Sequence, residues 1–165
     1  MLFRSEVSFD VVSDFDEQEL RNALDQVRRE VQQRYDFKGA TVQLTQEKSQ
    51  IVLVTDDDFR AKSVRDLIES KAVRRNLSLK IFEWGAIEPA GGNKVREIIG
   101  LRRGLSDDLS RKLVKLIRDE FPKVQPRVQG DAIRVSSKSK DELQKVIVRL
   151  RGLDEAVPLQ FENYR

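Results

Sequence analysis

Apolar residues along the first half of the chain follow two different spacings, which predict strands and helices in turn. In VSFDVVS, from Val7 to Ser13, apolar and polar positions largely alternate, as in a strand with one buried face. In the next segment apolar residues recur every three or four positions, which predicts an amphipathic helix that ends at Gly39. Two strands around the polar turn QEKS, a helix in DDDFRAKSVRDLIESKAVRR and a strand in LSLKIFEW complete the order βαββαβ.

The second half repeats the same order of elements. VREIIGLR predicts a strand, and GLSDDLSRKLVKLIRDEF predicts a helix. KVQPRVQ and AIRVSSK predict two strands on either side of Gly130-Asp131, a two-residue hairpin signal. SKDELQKVIVRLRG predicts a capped helix and PLQFENYR a last strand. Each half therefore predicts an α+β, ferredoxin-like domain, in which a four-stranded antiparallel sheet carries two helices on one face.

The segment GAIEPAGGNK separates the two halves and has the Gly and Pro content of a linker. We therefore predict a first domain over residues 1–88, a linker over residues 89–94 and a second domain over residues 95–165. One alternative stays open, because the N-terminal strand could pair with the second sheet instead of the first.

Composition narrows the chemistry that the chain can perform. The chain contains no cysteine and no histidine, which excludes disulfides, thiol catalysis, imidazole bases and the usual zinc ligands. No stretch approaches the roughly 18–20 apolar residues needed to cross a bilayer, so we expect a soluble cytoplasmic protein without a membrane partner. Residues 1–92 hold 14 basic and 17 acidic residues, a net charge of −3, whereas residues 93–165 hold 17 and 11, a net charge of +6. The basic second half indicates an anionic partner.

The hairpin around Gly130-Asp131 contains the main candidate site. Its register places Arg127 opposite Arg134, and alternation directs both side chains to the sheet face that the helices leave uncovered. Opposed arginines repel each other unless an anion lies between them, and their planar forks suit phosphate. We therefore predict that Arg127 and Arg134 bind phosphate, with Gln125 and Gln129 as hydrogen-bonding neighbours. The alternative is a polar face that only contacts solvent and salt.

A second candidate phosphate site lies just before the third predicted helix. Arg102 and Arg103 precede Gly104 there, so they could hold a phosphate on the free amides of the helix N-terminus. Asp107 and Asp108 oppose this interpretation, because they already place negative charge at the same end of the helix.

Two further charged clusters have a common structural explanation. Asp56 to Asp58 could hold Mg²⁺, but acidic residues at the start of a helix are also what the helix dipole favours. Arg111, Lys115 and Arg118 form a basic stripe on the third helix, which is typical of a solvated face. We therefore predict no metal site, no cofactor and no enzymatic activity.

Five segments of the chain together resemble one known family. In order they are SFDVVS, the helix ending RYDFKG, LSRKLVKLIRD, VQGDAIRVSSKSKDELQ and PLQFENYR. They look like the YajQ family over nearly the whole chain, with its signatures at Ser8 to Asp10, Arg34 to Gly39 and Gln129 to Val135. The resemblance implies a bacterial cytoplasmic protein with tandem RNP-like domains that binds nucleotide or RNA, transfer RNA included. Cyclic di-GMP has been proposed as a ligand for some members.

Residues and resemblance together predict a non-catalytic nucleotide-binding protein. It would contact nucleotide or RNA phosphates through the basic open sheet face of the second domain. Stacking of bases on that sheet is not expected, because the strands REIIGLR and AIRVSS contain no aromatic residue. The alternative function is a regulatory adaptor that docks a protein partner, such as a transcription regulator, with nucleotide as modulator.

Overall fold

Two four-stranded antiparallel sheets, each with two long helices, account for the elements of the structure, a computed structural model that describes residues 5–165. The first four residues of the predicted first domain lie outside this range. In chain order the elements are β1 (Val7–Val12), α1 (Glu17–Gln33), β2 (Val42–Gln46), β3 (Gln50–Thr55), α2 (Asp58–Arg74), β4 (Phe82–Ala90), β5 (Lys94–Leu101), α3 (Asp107–Glu120), β6 (Gln125–Gln129), β7 (Ala132–Ser137), α4 (Lys140–Arg151) and β8 (Gln160–Glu162). None of the helices within the described range is long and apolar enough to span a membrane.

The elements group into two units. The inserted unit comprises residues 15–102, and the split unit comprises the residues up to Asp14 together with residues 103–165. In the split unit the strand order is β6-β7-β1-β8, which is that of a ferredoxin-like sheet interrupted after its first strand by the whole inserted unit. In the inserted unit the order is β2-β3-β5-β4, so the last strand takes the central place that the first strand has elsewhere. The predicted fold class, two ferredoxin-like α+β domains, is confirmed.

The structure divides the chain differently from the predicted domains 1–88 and 95–165. The predicted linker lies within the hairpin of β4 and β5, where Ala90 pairs with Lys94 around a tight turn. Gly92 and Asn93 have φ values of 72° and 59° in that turn. The glycine-rich residues that predicted a linker therefore form a tight turn in which the chain reverses direction. The strand predicted in LSLKIFEW begins only at Phe82, after a 3-10 turn, and continues to Ala90, two residues into the predicted linker.

The first strands of the two predicted domains have exchanged sheets. β1 pairs with β7 and β8, which is the alternative that the sequence left open, and β5 pairs with β3 and β4. This exchange also removes the charge contrast between the halves. The inserted unit carries 16 basic and 15 acidic residues, a net charge of +1, and the split unit carries 15 and 13, a net charge of +2. Net charge therefore does not distinguish the units, and only local groups of cations can indicate an anion site.

Each unit has an apolar core of its own. Leu24, Ile68 and Ile99 are completely buried in the core of the inserted unit, between its helices and the inner face of its sheet. Ile133 and Leu113 are completely buried in the core of the split unit, where β1 contributes Phe9. Since each core is built entirely from residues of one unit, the chain division follows from where the apolar side chains pack.

One carboxyl group lies on the core side of the inserted sheet. Glu97 in β5 is only 3% exposed, and its partners on the neighbouring strands are the apolar Leu53 and Ile87. Burial raises the pKa of this carboxyl group, although the guanidinium charge of Arg65 partly opposes that shift. Glu97 therefore binds its proton more tightly in the folded chain than in the unfolded chain.

We expect the substitution Glu97→Gln to stabilise the inserted unit at neutral and alkaline pH. A raised folded-state pKa means that stability falls as the pH rises from the usual value of 4.5 through the folded pKa, and glutamine removes this loss. Urea unfolding at pH 8 should show a gain of about 0.5–2 kcal/mol, and the gain should vanish near pH 4. Glu83→Gln, at an exposed position of β4, is the control that should change little. Equal destabilisation at both pH values would contradict this assignment.

Candidate functional site

The hairpin of β6 and β7 has the predicted register. Arg127 pairs with Arg134, Val128 with Ile133 and Gln129 with Ala132. Gly130 has a φ of 60° at the first turn position, which is the conformation that a type II′ turn requires. Because the register fixes which residues share a face, Ile133 is buried against the helices whereas Arg127 is exposed.

The pair of Arg127 and Arg134 is part of a row of four charged residues that crosses the open face of the sheet from β6 through β7 and β1 to β8. In order the row contains Arg127, Arg134, Asp10 and Glu162. Arg134 Nε lies 3.2 Å from Asp10 Oδ1, and Asn163 Nδ2 donates a 2.9 Å hydrogen bond to Asp10 Oδ2. Asp10 is largely buried and neutralises Arg134, so the two opposed arginines are not equivalent. Within residues 5–165, Arg127 makes neither an ion pair nor a side-chain hydrogen bond.

Beside this row runs a groove of about 630 Å³, the β6 groove. Its lining residues are Glu6, Ser8, Arg118, Val124, Gln125, Pro126, Arg127, Val128, Arg134 and Ser136. Five of them are consecutive residues of one chain segment, and successive residues of a strand point to opposite faces. The β6 groove therefore extends from the open face, where Ser8, Arg134 and Ser136 lie, onto the exposed edge formed by β6.

The β6 groove brings together three of the four residues predicted at the hairpin. Gln125, Arg127 and Arg134 line it, whereas Gln129 lies outside it, at the turn end of β6. The sequence did not associate Arg118 with this site and placed it in a solvated stripe. Arg118 is in the last turn of α3, and only four residues separate α3 from β6. That short connection is the signal that could have placed its side chain beside the strand.

Arg118 has the same electrostatic status as Arg127. It is exposed, and among the described residues its guanidinium makes no ion pair and no hydrogen bond. The other charged groups of the lining are Glu6 and Arg134, which is paired with Asp10. The uncharged polar groups are Ser8, Gln125 and Ser136, whose Oγ donates to the carbonyl of Gln125 at 3.4 Å. The β6 groove thus combines two unpaired guanidinium groups with hydrogen-bonding side chains.

The structure gives the guanidinium groups of the second candidate site other partners. Arg102 Nη1 donates to the carbonyl oxygens of Lys80 and Phe82, at 3.1 and 3.4 Å, inside the inserted unit. Arg103 Nη1 lies 2.8 Å from Asp14 Oδ1 inside the split unit. Both cations therefore stabilise the ends of their own unit, and the residue pair belongs to two different units.

The start of α3 is also occupied. Ser106 Oγ accepts a 3.1 Å hydrogen bond from the N–H of Leu109, and Asp107 and Asp108 lie in the first turn. Gly104 has a φ of 76°, and a Cβ at this position would lie 2.5 Å from Asp131 Oδ2, so the preceding loop is tightly packed. The cap and the acidic residues therefore already satisfy the free N–H groups and the positive dipole at this end of α3.

The three consecutive aspartates, Asp56 to Asp58, lie at the start of α2, where they stabilise the helix or contact neighbouring residues. Asp57 caps the helix by accepting from the N–H of Arg60 at 2.8 Å, and Asp58 lies in the first turn. Asp56 accepts from the N–H of Thr41 and pairs with Lys94, and these contacts lower the pKa of its carboxyl group. Within the described part of the chain, no three acidic side chains form a group that could hold a metal ion.

Comparisons with known proteins all indicate the same family. The family model described as nucleotide-binding protein YajQ-like matches residues 7–165. A curated protein of Chloroflexus aggregans is 56% identical over 162 residues, which cover 97% of this chain and 98% of that protein. Proteins of Thermosynechococcus vestitus and Roseiflexus castenholzii are 52% and 51% identical, each over 98% of this chain and 99% of the relative. All three relatives are named nucleotide-binding proteins. The chain therefore belongs to the YajQ-like family.

Proposed function

We propose that the protein binds nucleotide without catalysis, and that Arg118 and Arg127 hold the phosphate of the ligand in the β6 groove. The observation that carries this proposal is the presence of two guanidinium groups, unpaired among the described residues, in a single groove of about 630 Å³. A groove of this volume is within the range of small-molecule sites. The names of the relatives support nucleotide as the class of ligand.

The other residues of the β6 groove have distinct parts in this proposal. Asp10 holds Arg134 in place, so Arg134 offers its remaining N–H groups as an oriented but largely neutralised donor. Ser8, Gln125 and Ser136 supply hydrogen bonds for a sugar or for the edge of a base. Stacking is not part of the proposal, because the open-face positions of the central strands β1 and β7 hold Ser8, Asp10, Val12, Ala132, Arg134 and Ser136 and no aromatic residue.

The edge strand β6 disfavours one form of the adaptor alternative, in which a protein partner docks by strand addition. Strand addition needs a row of free N–H groups on the edge strand, and Pro126 in the middle of β6 has none. The phosphate of a cyclic dinucleotide such as cyclic di-GMP and that of a single-stranded RNA are both compatible with two arginines along an open edge.

We expect the double substitution Arg118→Ala and Arg127→Ala to weaken nucleotide binding by roughly tenfold or more, since each guanidinium would donate charge-assisted hydrogen bonds to phosphate. Titrations with cyclic di-GMP and with single-stranded RNA, each at several salt concentrations, measure this effect. For RNA the dependence of log K on log salt should become shallower by about one unit per arginine removed. Arg111→Ala, an exposed arginine on the same helix, is the matched control.

The two ligands separate the remaining alternatives. Loss of affinity for cyclic di-GMP alone assigns the β6 groove to a small nucleotide, and loss for RNA alone assigns it to a strand. Unchanged affinity and salt dependence for both ligands would remove the site from this groove. A wild-type protein that binds neither ligand nor any mononucleotide would overturn the proposed function itself.

A further inference from the structure

The signature RYDFKG forms an ordered turn with an exposed aromatic ring in the inserted unit. The turn Tyr35–Phe37 follows α1, and hydrogen bonds from Phe37 N–H to the carbonyl of Arg34 (3.2 Å) and from Lys38 N–H to that of Tyr35 (3.0 Å) fix its backbone. Phe37 is buried in the core, whereas Tyr35 is 87% exposed. An aromatic ring on a turn with a fixed backbone offers a flat face on which a nucleobase can stack.

Arg34 stabilises this turn rather than a ligand. Its Nε and Nη2 donate to the two carboxylate oxygens of Asp36, at 3.0 and 2.7 Å, and its Nη1 donates to Glu30 at 3.3 Å. Its guanidinium carbon also lies 5.4 Å from the centre of the Phe37 ring. The ion pair raises the pKa of Arg34 and lowers that of Asp36, so this support remains charged over the whole physiological range.

Next to the turn lies a groove of about 680 Å³, the α1–β2 groove. Its lining residues are Arg28, Val31, Gln32, Gln33, Arg34, Tyr35, Phe37, Lys38, Gly39, Ala40 and Val42. The lining is apolar at Val31, Phe37 and Val42, which pack against the core. Of its three basic side chains, Arg28 pairs with Asp25 and Arg34 pairs with Asp36, so Lys38 is the cation that can bind an anion there.

The polar groups around the α1–β2 groove define two features of a ligand, besides a base that can stack. The last hydrogen bond of α1 runs from Arg34 N–H to the carbonyl of Glu30 at 2.9 Å. The carbonyl groups of Val31 to Gln33 follow it and accept no backbone hydrogen bond from the residues that the structure describes. These acceptors, at the negative end of the helix dipole, suit a donor such as an amino group. Lys38 is exposed and makes no ion pair with another residue of 5–165, so it is available for phosphate.

We propose that the α1–β2 groove is a second ligand site, which takes a nucleoside phosphate whose base carries an amino group. The base stacks on the ring of Tyr35, its amino group donates to the carbonyl groups at the end of α1, and its phosphate accepts from Lys38. This site is independent of the β6 groove, because all its residues belong to the inserted unit and none of them contributes to the proposed function.

The test uses the full chain and 2-aminopurine riboside 5′-monophosphate, whose fluorescence is quenched when its base stacks. We expect quenching by the wild-type protein and a Kd at least roughly fivefold higher for Tyr35→Ala, as removal of a stacking aromatic usually costs. Tyr35→Phe keeps the ring and should bind as the wild type does. Phe59→Ala removes a similarly exposed aromatic of the same unit, 73% exposed, and should have no effect.

Two further arms decide between the sites and between the bases. Cytidine monophosphate should displace the probe at lower concentration than uridine monophosphate, since only cytosine carries the amino group. The variant lacking Arg118 and Arg127 should still quench the probe, while Lys38→Gln should weaken binding and reduce its salt dependence. Wild-type affinity in Tyr35→Ala, absence of quenching by the wild type, or loss of quenching only in the arginine variant would each overturn the second site.

Discussion

A fragment of residues 15–102, expressed alone, will fold cooperatively, whereas a fragment of residues 1–88 will not. Residues 15–102 contain all eighteen buried residues of the core of the inserted unit, from Leu20 to Leu101. Residues 1–88 lack β5, which lies between β3 and β4 in the sheet, and with it the buried side chains of Ile99 and Leu101. Thermal unfolding followed by circular dichroism, together with amide peak dispersion in NMR spectra, distinguishes the two fragments.

The size of the expected effect follows from what the fragment 1–88 would lose. Truncating one buried leucine or isoleucine typically costs about 2–5 kcal/mol, and a whole domain is stable by only about 5–15 kcal/mol. Loss of a central strand with two such residues therefore removes a large part of the stability. The same fragment also carries β1, whose Phe9 and Val11 are buried in a core that it does not contain.

The complementary experiment joins the two segments of the split unit directly and leaves out the inserted unit. Gly104 N–H donates to the carbonyl of Ser13 at 2.6 Å, and Arg103 pairs with Asp14, so the two chain ends at the insertion point are adjacent. A linker of about two to four residues between positions 14 and 103 should therefore close this unit without strain. Folding of residues 1–88 together with failure of residues 15–102 would contradict the observed strand exchange.

Local pattern was sufficient to predict most elements and the hairpin register. Alternation in β6 and β7 together with Gly130-Asp131 predicted the pairing of Arg127 with Arg134, because a two-residue turn leaves only one register. The choice of sheet for β1 and β5 could not be predicted in this way. Both strands show similar alternation and both occupy central places, so the choice depends on distant partners. A tight turn after Ala90 favours β5 beside β4, since closing a short loop costs less entropy.

The same long-range uncertainty determined which site residues the sequence could identify. Arg127 and Gln125 follow from strand alternation alone, and both line the β6 groove. Asp10 was missed as the partner of Arg134 because its strand was assigned to the other domain. Arg118 was missed because helical spacing shows which side of α3 faces solvent but does not show which strand edge lies beside it.

The charged row of the split unit leads to a second prediction, in which stability and affinity change in opposite directions. We expect Asp10→Asn to destabilise the split unit by about 1.5–3 kcal/mol, the range for hydrogen bonds to charged groups. Without the carboxylate, Arg134 keeps its charge opposite Arg127 with no counter-charge, and like charges directly opposed on adjacent strands destabilise the pair. The same loss should raise the affinity of the β6 groove for anions, because Arg134 becomes available to them.

Unfolding experiments with and without inorganic phosphate test both parts of this prediction. Phosphate should stabilise Asp10→Asn more than the wild type, since a bound anion replaces the missing carboxylate. Adding Arg134→Gln should restore most of the stability and remove the extra response to phosphate, which identifies the interaction between the two residues in a double-mutant cycle. Glu162→Gln, at the exposed end of the same row, is the control and should be nearly neutral. If Asp10→Asn were as stable as the wild type and equally indifferent to phosphate, Asp10 would not hold Arg134 in the way that its 3.2 Å contact indicates.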